Sequence, residues 1–185
     1  MKTDSICGVC ISKQRYWDYC FSAFEYKDSI KQLITQFKFH RNPALGNLLG
    51  CLLYQHIAKI YIDNNDSLPE YLIPVPMHHS QLKYRGFNQS LILCKTISAL
   101  FDIPILNAIK KTRKSHTQKG LSSLERKKTI KNSFRLNAKN FKSIDINKVV
   151  IIDDVMTTGS TASEIAKTLK KSGVPNIDVW VLART

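Results

Sequence analysis

Acidic residues are scarce in this sequence. Fourteen Asp and Glu stand against 28 Lys and Arg, leaving a formal net charge of +14. That imbalance directs attention to polyanions and densely charged phosphates as ligands. Long apolar runs are missing too. Stretches such as LLGCLLY fall far short of the ~20 residues that cross a bilayer, so no membrane insertion is expected. The N-terminal MKTDSICGVCISK lacks the charged-then-apolar layout of a secretory signal, which makes the cytoplasm the expected location. In that compartment the five cysteines are thiols or metal ligands before they are disulfides. Two glycine patterns are absent as well. Without G-x-x-x-x-G-K-[ST] the chain has no P-loop, and without G-x-G-x-x-G it has no dinucleotide fingerprint. No internal repeat or low-complexity tract is visible.

What is present fits one ordinary α/β unit. At 185 residues, 43% hydrophobic and 23% charged, the chain has room for a single core. FSAFEY alternates as a strand, and DSIKQLITQFKF places Ile30, Leu33, Ile34 and Phe37 on one helical stripe. NPALGNLLGCLLYQHIAKIYI predicts a longer helix, with Asn42 as N-cap and Pro43 first inside. YLIPV reads as a buried strand ended by its prolines. HHSQLKYRGFNQS reads as a loop feeding a helix from about Asn88 to Leu100. IPILNAIKK predicts a strand, SLERKKTIKN a short charged helix and FRL a brief strand. NKVVIID and NIDVWVLA complete the strands, with a helix between them running to Lys171. Strands alternating with helices predict a parallel sheet covered on both faces, with ligands at the carboxyl ends of its strands.

The stretch VVIIDDVMTTGSTASEIAKTL, from Val149, concentrates the chemistry. Four β-branched residues form a buried strand, and Asp153 and Asp154 fall at or just past its end. Thr157, Thr158, Gly159, Ser160 and Thr161 then combine hydroxyl donors with a glycine that admits an anion to the backbone. The helix behind them offers unpaired N–H groups and a positive dipole end. The turn suits a phosphate monoester, and carboxylates that would repel phosphate suit sugar hydroxyls, a metal-bound water or developing positive charge. The same pattern also fits a strand–turn–helix with a purely structural role. A second concentration lies between Lys110 and Lys142, where twelve Lys or Arg accompany one acid, Glu125. Such a block suits pyrophosphate, a nucleic-acid backbone or plain solvent, and charge does not separate them.

VVIIDDVMTTGST resembles the phosphoribosyl-pyrophosphate (PRPP) motif of type I phosphoribosyltransferases. IPVPMHHSQLKYRGFNQS, KKTRKSHTQKGLSSLERKKTIKNSF and VWVLART resemble the ComF family of competence-associated proteins, GntX-like members included. Together these matches span residues 20–185. The resemblance implies a type I phosphoribosyltransferase fold, a mostly parallel twisted sheet flanked by helices. It implies a PRPP site in which Asp153 and Asp154 hold the ribose hydroxyls, followed by Val155 and Met156. Thr157, Thr158, Gly159, Ser160 and Thr161 would cradle the 5′-phosphate. Val75, Pro76 and Arg85 would meet the pyrophosphate, the last through the fixed bidentate charge of a guanidinium. The basic loop from Lys110 to Gly120 corresponds to a mobile hood, bringing Arg113, Lys114 and Lys119 over the pyrophosphate; Arg126 and Lys127 would join that lining. His116 reads as a general acid or base, or as a solvated loop residue.

The implied reaction is a pentosyl group transfer that displaces pyrophosphate from ribose C1, with Asp153, Asp154 and Arg113 as catalytic residues and Mg2+ as cofactor. No protein nucleophile is needed, and no Ser/His/Asp or Cys/His arrangement is evident. Nucleoside metabolism, DNA uptake, single-stranded DNA, a competence helicase or translocase and a homodimer are the associations implied. Alternatively the family likeness fits a catalytically silent DNA-binding module that keeps the pocket. Cys7 and Cys10 form one C-x2-C, half of a four-ligand zinc site, with Cys20 and His40 as further candidate ligands for Zn2+. The family's zinc-ribbon-like module would survive as a remnant over residues 1–20, ahead of a phosphoribosyltransferase-like domain over 21–185. Cys51 and Cys94 read as small core residues.

Overall fold

The computed structural model describes residues 15–39, 42–64, 66–112, 132–138, 141 and 145–185. Cys7, Cys10, His40, Arg113, Lys114, His116, Lys119, Arg126, Lys127 and the SLERKKTIKN segment up to residue 131 lie outside them.

The chain opens with β1 (Tyr19–Glu25), α1 (Asp28–Phe39) and α2 (Pro43–Asn64). Asn42 caps α2 as expected, its Oδ1 accepting from the Leu45 amide at 3.2 Å. β2 (Tyr71–Pro74) follows, then α3 (His79–Arg85) and α4 (Gln89–Phe101). The α3 segment was expected to be loop. It winds instead because His78 caps it, its ring accepting from the Ser80 amide, and Gly86 ends it at φ 85°. The remaining elements are β3 (Ile109–Lys111), β4 (Phe134–Leu136), β5 (Lys148–Met156), α5 (Ser160–Lys170) and β6 (Asn176–Arg184). The expected IPILNAIKK strand is reduced to β3 and a single bridge from Ile105 to Leu72.

Four strands form one sheet in the order β1-β6-β5-β2, and every neighbouring pair is parallel. β3 and β4 pair antiparallel as a separate ribbon. Both faces of the main sheet are covered. Val149, Ile151, Ile177 and Val179 share a core with Ile165 and Leu169 of α5 and with Ile109 and Phe134 of the ribbon. Val150, Ile152, Trp180 and Leu182 share the other with Ile34 and Phe37 of α1, Leu49 and Leu53 of α2, and Leu93 and Ile97 of α4. Consecutive residues of one strand thus feed opposite layers, which is why VVII reads as an unbroken apolar run. Close packing of α2 depends on two small residues. A Cβ at Gly46 would sit 2.6 Å from both Ile92 and Phe37, and one at Gly50 would sit 2.7 Å from Thr96.

Cys20 lies inside β1 opposite Val179, and its thiol donates to the Met156 sulfur at 3.7 Å. The α/β unit therefore already includes residues ahead of 21. Cys94 is buried and Cys51 half-buried, as small core residues would be. Among the described residues no helix is long and apolar enough to cross a membrane.

Candidate functional site

Because β2 and β5 run parallel, their carboxyl ends open onto the same edge of the sheet. The Val75 amide joins them by donating to the Ile152 carbonyl at 3.0 Å. Asp153 and Asp154 were expected at or past the end of β5. The strand in fact continues through them to Met156, because β6 keeps pace as far as Arg184. The two carboxylates have different partners. Asp154, 8% exposed, meets Lys38 of α1, whose Nζ lies 3.0 Å from Oδ1. Asp153 Oδ1 accepts from the Ser90 hydroxyl of α4 at 3.1 Å and from the Asp154 amide at 2.9 Å.

Asp153 keeps a little accessible surface, yet its carboxyl is closely packed round. Burial, and then the charge of Asp154, push it up to about 7, against the pull of Lys38, the Asp154 amide and Ser90. A carboxyl that titrates near neutrality can donate as well as accept, while its neighbour faces the Lys38 ammonium. The pair is thereby fitted to two adjacent hydroxyls. Lys111 of β3 also acts on this charge. Burial lowers its ammonium from the ordinary lysine range; Asp153 opposes that shift and Arg85 adds to it. Asp153, Lys111 and Arg85 are thus in electrostatic reach of one another.

The turn that follows is open on one side. Thr157 and Thr158 are exposed, while Gly159 is buried at φ 71°. Thr158 and Ser160 share a hydroxyl contact of 2.8 Å, Thr158 Oγ1 accepts from the Ser160 amide at 3.4 Å, and the N-cap of α5, Gly159, offers no side chain of its own. Glycine is needed here for a second reason. A Cβ would meet Trp17 Cη2 at 2.7 Å and Arg15 Nη1 at 3.2 Å. Arg15 stacks over the Trp17 ring at 4.9 Å, so a guanidinium lies beside the turn.

On the β2 side, Val75 and Pro76 follow the strand directly, and Arg85 ends α3. Its Nη1 donates to Gln89 Oε1 at 3.2 Å, and its guanidinium stands 5.4 Å over the Phe39 ring. Asn88 caps α4 through the Ser90 amide and donates its own amide to the Val75 carbonyl, both at 3.1 Å. Phe87 stacks on Phe37. The RGFNQS stretch is thus a strap between the β2 loop and Asp153.

The structure brings Val75, Pro76, Arg85, Asp153, Asp154, Val155, Met156, Thr157, Thr158, Gly159, Ser160 and Thr161 to the carboxyl edge of the sheet. Arg113, Cys7 and Cys10 cannot be placed, lying outside the described residues. Among the described residues no group of three or more His, Cys, Asp or Glu could hold a metal. Sequence reasoning assigned no role to Lys38, Gln89, Ser90, Arg15 or Trp17. Gln89 and Ser90 stood inside a recognised motif; Lys38 carried no signal beyond being a polar neighbour of the buried Phe37.

The model of the phosphoribosyl transferase domain family matches residues 88–185. Competence protein F of Haemophilus influenzae is 38% identical over 179 residues, covering 96% of this chain and 78% of that protein. The DNA utilization protein YhgH of Shigella flexneri is 35% identical over 180 residues, with 97% and 78% covered. A crystal structure of adenine phosphoribosyltransferase aligns over 80% of this chain and 74% of its own at 13% identity, with a TM-score of 0.49. Sheet, site and family match define a protein of the type I phosphoribosyltransferase superfamily. With relatives this similar over nearly its whole length, the chain belongs to the ComF family of competence-associated proteins.

Proposed function

We propose that this chain binds PRPP with Mg2+ and transfers its phosphoribosyl group to an acceptor, releasing pyrophosphate, in the service of DNA uptake. One observation carries the reading: the unequal carboxyl pair, Asp153 beside Ser90 and Asp154 beside Lys38, stands just ahead of an exposed hydroxyl turn and a helix whose N-cap is a glycine. Hydroxyls at one end and a phosphate at the other are what a ribose 5-phosphate presents. In the reaction the bond from C1 to the pyrophosphate oxygen breaks, the acceptor's electron pair forms the new bond to C1, and pyrophosphate leaves with the bonding electrons. The carboxyl pair favours positive charge growing on the ring, and Arg85 and Lys111 favour negative charge growing on the leaving group. Asp154 is already engaged by Lys38, so the oxygens around Mg2+ would come mainly from the diphosphate and water, as suits a cation that dehydrates reluctantly. Mg2+ would supply charge neutralisation of the leaving diphosphate.

Calorimetry on the Asp153→Asn, Asp154→Asn double variant tests the site. Loss of PRPP binding in a folded protein is expected, and unchanged affinity would refute the assignment.

The charge distribution favours a second reading. Twelve cations against one acid between Lys110 and Lys142 suit a single-stranded DNA backbone, with the pocket kept as a sensor of PRPP. Pyrophosphate release with any nucleophile, abolished by the double variant, separates the enzyme from the silent module.

A further inference from the structure

Gln89 is only 1% exposed at the first position of α4. A primary amide brings one acceptor and two donors into that enclosed place. Arg85 uses the acceptor, since Nη1 donates to Oε1 at 3.2 Å. That contact also fixes which way round the amide lies, because the reversed orientation would set N–H against N–H. The remaining Nε2 is buried and has no hydrogen-bond partner. Buried amides in folded proteins are nearly always paired, so an orphan donor calls for a reason.

Its surroundings suggest one. The residue before it holds the carbonyl of Val75, and the residue after it holds Asp153. Gln89 therefore stands in the strap between the β2 loop and the carboxyl pair. Arg85 is its only hydrogen-bonded side chain among the described residues, and Lys111 lies in electrostatic reach of both Arg85 and Asp153.

We infer that Gln89 positions the Arg85 guanidinium for a diphosphate and keeps its spare amide hydrogens for an oxygen of that same group. The inference rests on the PRPP reading and adds to it a residue that discriminates a diphosphate ligand from a plain sugar phosphate. Gln89 acts through Arg85 first; its own donor serves only once an anion is present.

The experiment titrates Mg2+-pyrophosphate and ribose 5-phosphate separately into the parent chain, Gln89→Leu, Gln89→Glu, Arg85→Ala and the Arg85→Ala, Gln89→Leu double variant. Gln89→Leu removes both functions; Gln89→Glu keeps an acceptor for Arg85, removes the spare hydrogens and stays near the original shape should the leucine variant not fold. Gln89→Glu should weaken pyrophosphate by about tenfold and Gln89→Leu by more, and both should leave ribose 5-phosphate unaltered. In the Arg85→Ala background the leucine change should add less than it does alone, because only the loss of its own donor then remains. Unaltered pyrophosphate affinity in Gln89→Glu would overturn the inference, and so would equal losses for both ligands. A parent chain that binds pyrophosphate but not ribose 5-phosphate would defeat the PRPP reading and leave this inference to stand or fall on the pyrophosphate series.

Discussion

At the scale of the residue, Asp153 couples the site to stability. Its ordinary value is 3.8 and the fold raises it to about 7. Well below 3.8 the folded and unfolded chains both carry the proton. Between about pH 4 and 7 the unfolded chain has released a proton that the folded chain keeps, so stability declines as pH rises through that window and levels off above it. Asp153→Asn removes the titration. The variant should gain on the parent from pH 5 to pH 8, by on the order of 2 kcal/mol after its weaker hydrogen bonds are counted. Urea denaturation at a series of pH values checks this, and a constant difference would contradict it. The sequence made the two aspartates conspicuous, but not their inequality. That depends on Lys38 and Ser90, brought up from α1 and α4 by packing. No spacing in VVIIDD encodes those partners.

At the scale of the element, α4 is held by its first residues. Asn88 serves twice, capping the helix and tethering the Val75 carbonyl. Asn88→Ala should cost about 1–2 kcal/mol, seen as a lower urea midpoint with unchanged slope. The freed β2 loop should also weaken pyrophosphate binding, which a surface cap elsewhere would not do. Most strands and helices here were legible because their periods were strong: VVII with NIDVWVLA, and the stripe of α1. What escaped was α3, whose short turn of helix depends on a histidine cap and a left-handed glycine. β3 also escaped in part. Its sequence favours a long strand, but among the described residues it pairs as strand only at Ile105 and from Ile109 to Lys111. A strand extends only as far as another backbone accompanies it.

At the scale of the whole molecule, the +14 charge sets how the chain meets polyanions. Affinity for single-stranded DNA should fall steeply between about 50 and 200 mM salt, with a log–log slope that counts the phosphates neutralised. Filter binding or anisotropy across that range measures the slope. The Asp153→Asn, Asp154→Asn variant should retain it, because the carboxyl pair is remote in kind from a backbone contact. A slope near zero would remove DNA from consideration. The order β1-β6-β5-β2 has a consequence for biogenesis. Tyr19 of β1 waits for Asp178 of β6, so β1 finds its neighbour only after the other strands of the sheet have been synthesised. Until then the aromatic row Tyr19, Phe21 and Phe24 has no sheet to join, and the nascent chain presents a sticky ribbon to whatever chaperone meets it first.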